Sequence, residues 1–364
     1  MTFTSKQKTK SLKSNLLIIS LIGSFFTGLL PINSALAFNM NPLERPRSIL
    51  IFLRHSYLLD KVSEPVHEKI TLAAYDCIAN PSKCRGDSID IDRTSTKKSM
   101  GKLIDGVEWN DDPSRMLIGS LWSARKWVIW MDDGAEIASC HRERKSNCKN
   151  IDASYDLLYR SHYGDLQFFH AMASHNGERP KETFQKIMNW AEFTYKVSTG
   201  EIQPYVALDS LEKMQVSAIN RHIQRGSWSA SYLFARNENA PPEQVKLIAL
   251  GSLLHLIQDS YSDSHVDRVN SCNSLNHNKQ EIREFHNYAD QKAEEHKKAD
   301  VLPQWLGSGD LSDSNPVSAS AKIINASFNN KSWSDVKQIL ENEIFKLSDA
   351  ARPASAGEAS CFAG

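Results

Sequence analysis

The chain has 364 residues, with 43 basic and 43 acidic side chains, 12 histidines and 6 cysteines. A formal charge of zero offers no basic field for a tight grip on duplex nucleic acid, so no stable nucleic-acid partner is expected. The first 37 residues read as a secretory signal peptide: Lys6, Lys8, Lys10 and Lys13 lead, an apolar run covers Leu16 to Leu30, and Ala35-Leu36-Ala37 offers a cleavage site before Phe38. No later segment has the roughly 20 apolar residues needed to cross a bilayer, so export to the periplasm or beyond is expected, with no transmembrane segment in the mature chain. The remainder, 38–364, is read as one helical domain.

After Pro65, the apolar positions Val66, Ile70, Ala73, Ala74 and Cys77 predict a helix over Val66–Ala79. Trp127 to Met131 is the one stretch where a strand competes. Further helices are predicted over Asp165–Ala173, opened by Gly164, and from Pro180 toward Val197. Pro241-Pro242 precedes a helix over Glu243–Ser260, and two more are predicted near Lys279–Ala299 and Ser334–Leu347. Gly307 to Ser320 reads as a surface loop, and the tail after Pro353 as tethered by Cys361. An even cysteine count in an exported chain suggests disulfides, and proximity favours Cys77 with Cys84, Cys140 with Cys148, and Cys272 with Cys361.

Glu243–Ser260 is apolar on all sides, the mark of a central buried helix, yet it carries His255 and Asp259 one turn apart on one face. Burying a lone carboxylate is costly, and a metal ion is the simplest cation to face it. With His265 the segment reads H-x3-D-x5-H, a pattern expected by chance only about 0.02 times in such a chain. An imidazole and a carboxylate one helical turn apart can grip one ion, and a second imidazole beyond the helix end can reach its neighbour.

This motif resembles that of the trinuclear zinc phospholipases C and single-strand nucleases, an all-α superfamily. His67 in Glu-Pro-Val-His is similar to the ligand histidine of the first helix, and Asp111 in Trp109-Asn110-Asp111 to the W-x-D aspartate of the nuclease branch. The arginine spacing keeps Asp112 open as an alternative, since Arg115 follows it by three. His162 in Ser-His-Tyr resembles the histidine of the phospholipase branch; His170, between Phe169 and Met172, competes with it but reads more simply as core. His141, beside Arg142, Arg144 and Lys145, reads as a solvated loop residue. For the closing His/acid pair, a helix over Lys279–Ala299 would align Ile282, Phe285, Ala289, Ala293, His296 and Asp300, which favours His296/Asp300 over the rival His286/Asp290. His277/Glu281 falls on the far side.

The resemblance implies an all-α domain built around a central helix that carries a zinc cluster. One ion would be held by Asp111, His162, His255 and Asp259 and a second by His265, His296 and Asp300, with Asp259 bridging toward a third near His67. The family's third ion uses an N-terminal tryptophan; here cleavage leaves Phe38, with Glu64 or His55 as substitutes. The function implied is phospholipase C action on phospholipid at a membrane surface, with Asp111 orienting the attacking water. Rival readings are a zinc-dependent single-strand nuclease and a non-catalytic, metal-stabilised secreted binding protein. No G-x-S-x-G elbow or Walker loop is present.

Overall fold

The computed structural model describes residues 66–80, 100–117, 121–214, 223, 228–269, 281–291, 296 and 314–357. Along these the chain forms α1 (Val66–Ala79), α2 (Gly101–Val107), α3 (Leu121–Arg142) and α4 (Leu157–Tyr163), then a 3-10 turn (Gln167–His170) and α5 (Pro180–Thr199). A 3-10 turn (Leu208–Met214), α6 (Ala230–Ala235) and α7 (Pro242–Asp259) follow. A two-stranded antiparallel ribbon joins β1 (Val266–Arg268) to β2 (Ile282–Phe285), and beyond it come a 3-10 turn (Tyr288–Asp290), α8 (Pro316–Phe328) and α9 (Trp333–Ile339). The architecture is mainly helical, and the ribbon is its departure from an all-α fold.

α7 is the spine of the described core. Proline opens its first turn, where the missing N–H costs nothing, and its residues from Ile248 to Asp259 are all buried. It packs against α2, α5, α6 and α8. The contact with α2 is backbone on backbone: a Cβ on Gly106 would stand 2.5 Å from the Ile248 carbonyl oxygen and 2.8 Å from Gly251 Cα. Small residues at this crossing bring the end of α2, and the Trp109–Asp112 turn after it, against the histidine face of α7.

Several local expectations fail for identifiable reasons. Gly164 does not open a helix; it ends α4, where the buried Arg160 forks onto Asp165 at 2.8 Å through both Nε and Nη2 and folds the chain back. Within the predicted helix over Lys279–Ala299, the described residues 282–285 are strand instead: they pair with β1, and Ile282 also bonds Lys346 and Ser348 across its other edge. Trp127–Met131 lies inside α3. The stretch read as a serine-rich loop becomes helical at Pro316, with Asn315 capping Ser318 N–H. The tail is held by hydrogen bonds: Ala354 bonds Glu178 and Gly177 through its backbone, and Arg352 and Ser355 bind the buried Glu284.

Cys140 and Cys148 form a disulfide, and Cys77 is also disulfide-bonded. Cys84, Cys272 and Cys361 lie outside the described residues, as does the leader. Among the described residues no helix is long and apolar enough to cross a membrane.

Candidate metal centre

The last two turns of α7 deliver His255 and Asp259 into the interior, and Asp259 is the hub of what gathers there. Its Oδ2 lies 2.9 Å from His255 Nε2, 2.9 Å from His170 Nδ1 and 3.6 Å from His265 Nδ1, while its Oδ1 lies 3.3 Å from His67 Nε2. The second carboxylate is Asp111, placed by the turn after α2. Its Oδ1 is 3.8 Å from His255 Nε2, 3.9 Å from His170 Nδ1 and 4.0 Å from His162 Nε2. All seven of these side chains are buried.

The fold aims the imidazoles by one repeated device. His255 donates Nδ1–H to the Val107 carbonyl at 2.5 Å, His162 to Leu158 at 3.0 Å and His265 to His170 at 2.7 Å. His67 donates to Gln258 Oε1 at 2.7 Å, and His296 to Gln291 Oε1 at 2.5 Å. A ring whose Nδ1 carries the proton for a carbonyl keeps a lone pair on Nε2, the state in which imidazole ligates a metal. The two glutamines are themselves held: Gln258 donates to Thr71 of α1 and Ser320 of α8, and Gln291 to the Ser264 carbonyl.

Asn110 does the same for the backbone. Fully buried, it donates to the carbonyls of Phe169 and Ser252 and accepts from Ser252 Oγ at 2.5 Å. It thereby clamps the Asp111 turn, the 3-10 turn of His170 and α7 onto one another, while Trp109 packs on Phe169, Trp190 and Phe234.

Electrostatics complete the picture. Burial lowers the His255 pKa to about 3 and depresses His162 well below the ordinary imidazole range. It lowers His170 as well, so these rings are neutral at physiological pH. Neutral rings cannot offset two buried carboxylates, whereas a dication can. Among the described residues, Nε2 of His162 and of His170 are buried and make no hydrogen bond. The donor set is imidazole nitrogen and carboxylate oxygen, groups that ligate divalent metal ions. Three groups of donor atoms, each within 4.8 Å of one another, can hold a metal ion: His67, Asp111 and His255; Asp111, His162 and His170; and His170, His255 and Asp259.

The structure thus brings His67, Asp111, His162, His255, Asp259 and His265 together. His296 joins them at the rim, its ring 5.0 Å from that of His265 and 4.5 Å from Tyr288. Asp112 is excluded as the alternative to Asp111: both its oxygens cap the backbone of Met116 and Leu117, and burial raises its pKa to about 7. The helical stripe used to prefer His296 over His286 does not exist, because residues 282–285 are strand. His286 is buried and donates to the Ser264 carbonyl at 3.1 Å, and a Cβ on Gly357 of the tail would stand 2.7 Å from its Cε1. Asp290, its proposed partner, is half-buried toward Arg142 and His141 and forms no part of the cluster among the described residues. Asp300, Glu64, His55 and Phe38 lie outside the described residues.

His170 is the residue that sequence reasoning set aside. Its apolar flanks read as core, and its signal was the break in helical pattern after Gly164, which makes His170 the end of a 3-10 turn rather than the middle of a helix. No family model, curated protein or solved structure matches the chain.

Proposed function

We propose that this protein is an exported zinc-dependent phosphodiesterase acting on phospholipids in the manner of a phospholipase C. The observation that carries the reading is the convergence of carbonyl-anchored imidazoles on two buried aspartates, a ligand set prepared in advance for divalent ions. The H-x3-D-x5-H motif and its resemblance to zinc phospholipases C supply the chemistry, and the near-neutral charge favours lipid over nucleic acid. Asp111, His162, His170, His255, Asp259 and His67 would hold one part of the cluster, and His265 and His296 the other. Bound zinc supplies Lewis acidity toward the phosphoryl oxygens and a water that is nucleophilic near neutral pH. Asp111 would orient the attacking water, whose oxygen would join phosphorus as the bond from phosphorus to the glycerol oxygen breaks, with one water proton passing to the released diacylglycerol and the other staying on the phosphoryl headgroup.

A second reading, single-strand nuclease action, is favoured by the Trp109-Asn110-Asp111 element. Both are tested by incubating purified protein with phosphatidylcholine vesicles and with single-stranded DNA, with and without chelator. The proposal expects diacylglycerol and phosphorylcholine from the first and little from the second. Turnover that survives complete zinc removal contradicts both readings, and zinc-stabilised protein with no turnover favours a binding role.

A further inference from the structure

α3 has two faces. Ala124, Trp127, Val128 and Met131 turn inward and are buried, whereas Trp122, Arg125, Lys126 and Ile129 are exposed at the spacing i, i+3, i+4 and i+7. At 3.6 residues per turn these four share one stripe about 100° wide. Among the described residues Trp122 is the most exposed large apolar side chain, at 76 %, and Ile129 on the same stripe is 52 % exposed. Two cations stand between them, and the segment from Trp122 to Trp130 contains no acid; Asp132, Asp133 and Glu136 come only in later turns. Lys126 Nζ lies 4.1 Å from the centre of the Trp130 ring, and Trp130 packs on Tyr159 at 5.4 Å, which ties the stripe to α4.

Bulky apolar side chains held in water leave free energy to be gained when something covers them. We propose that this outer face of α3 docks the protein onto anionic lipid membranes, through a surface apart from the metal centre; the choice of lipid as partner rests on the phospholipid reading above. An indole and a branched alkyl chain flanking Arg and Lys suit a headgroup layer, where the apolar groups enter the acyl boundary and the cations meet the phosphates. Another protein suits the stripe less well, since lysine is depleted from protein interfaces. The same helix braces the centre from its inner face: Trp127 donates Nε1–H to the Asp111 carbonyl at 3.4 Å, and α4 beside it carries His162. A membrane held by α3 is thus held by the element that supports the Asp111 turn.

The test is cosedimentation of the purified protein with vesicles of phosphatidylcholine mixed with phosphatidylglycerol, beside vesicles of phosphatidylcholine alone. Binding should favour the mixed vesicles and weaken with salt. Arg125→Gln with Lys126→Gln should bind them about 25-fold more weakly, at about fivefold per cation. Trp122→Ala with Ile129→Ala should lose about tenfold, and Phe328→Ala, an exposed aromatic on α8, should lose nothing. Stripe variants that bind like wild type, binding indifferent to anionic lipid, or an equal loss in Phe328→Ala overturns the inference. So does unchanged vesicle binding in a Trp122/Ile129 variant that abolishes self-association, because the face then joins two copies of the chain. Turnover of vesicles should fall with binding, while turnover of soluble short-chain phosphatidylcholine stays at the wild-type rate. Stripe-dependent binding without turnover of either substrate removes the phospholipase reading and leaves the docking face, whereas turnover with stripe-independent binding removes only the docking face.

Discussion

On one side of the centre, His255 and Asp259 ride a continuous buried helix, and His67 enters from a second helix locked to the first through Gln258. On the other, His265 and His296 hang from a turn and from a segment beyond the short ribbon, aimed by the carbonyl of His170 and by Gln291. The helical side spends its precision in backbone geometry, so a single glycine crossing and a single amide fix three ligands. The ribbon side buys the same aim from hydrogen bonds that reach across the chain.

The contrast orders the predictions. His255→Ala and Asp259→Asn strike the helical side at the ligands and should abolish zinc-dependent turnover, with a loss of metal affinity greater than the roughly 10–100-fold that a supporting residue costs. Calorimetric titration of zinc into the apo-protein measures it. Gln258→Leu keeps every ligand but frees His67 Nδ1, and the same titration should show a loss of about 10–100-fold. Gly251→Ala leaves the chemistry alone and pushes α7 away from α2; overpacking of this kind costs about 1–3 kcal/mol, visible as a lower denaturation midpoint. Ser355→Ala, on the ribbon side, removes a bond to Glu284 and should cost only about 1 kcal/mol. A Ser355 variant that loses more metal than Gln258→Leu would break the division of labour.

Acid should reveal the buried imidazoles once the metal is removed. His255 and His162 are neutral in the fold because burial depresses them, but in the unfolded chain they bind protons below about 6.5. The unfolded state then holds more protons than the native one, so apo-protein stability is full above that pH and falls as pH drops toward about 3, where His255 itself charges. Denaturant midpoints of chelated protein between pH 7 and 4 check the sign; a midpoint that rises on acidification contradicts it.

The helical side was also the legible one. A period of 3.6 put Val66, Ile70, Ala73 and Ala74 on one buried face of α1, and the all-round apolar character of α7 made its His255 and Asp259 conspicuous. The ribbon side defeated the same reasoning: residues 282–285 present a pattern that fits a helix as well as a strand, and what decides is pairing with β1 and with residues 346–348, which no local window contains. His170 was hidden for a related reason. Its neighbours Phe168 and Phe169 are true core residues, and only the reversal at Gly164 and Ala171 turns the histidine between them and Met172 inward. Asp112 shows the converse, a buried carboxylate beside the site whose oxygens are spent on a backbone cap.

The most direct measurement is X-ray absorption at the zinc edge on protein purified without added metal. Neutral imidazoles and carboxylates around a dication predict a first shell of nitrogen and oxygen alone, at about 2.0–2.1 Å, that disappears in Asp259→Asn. A sulfur shell, or a wild-type protein that carries no zinc and takes none up, would contradict the account.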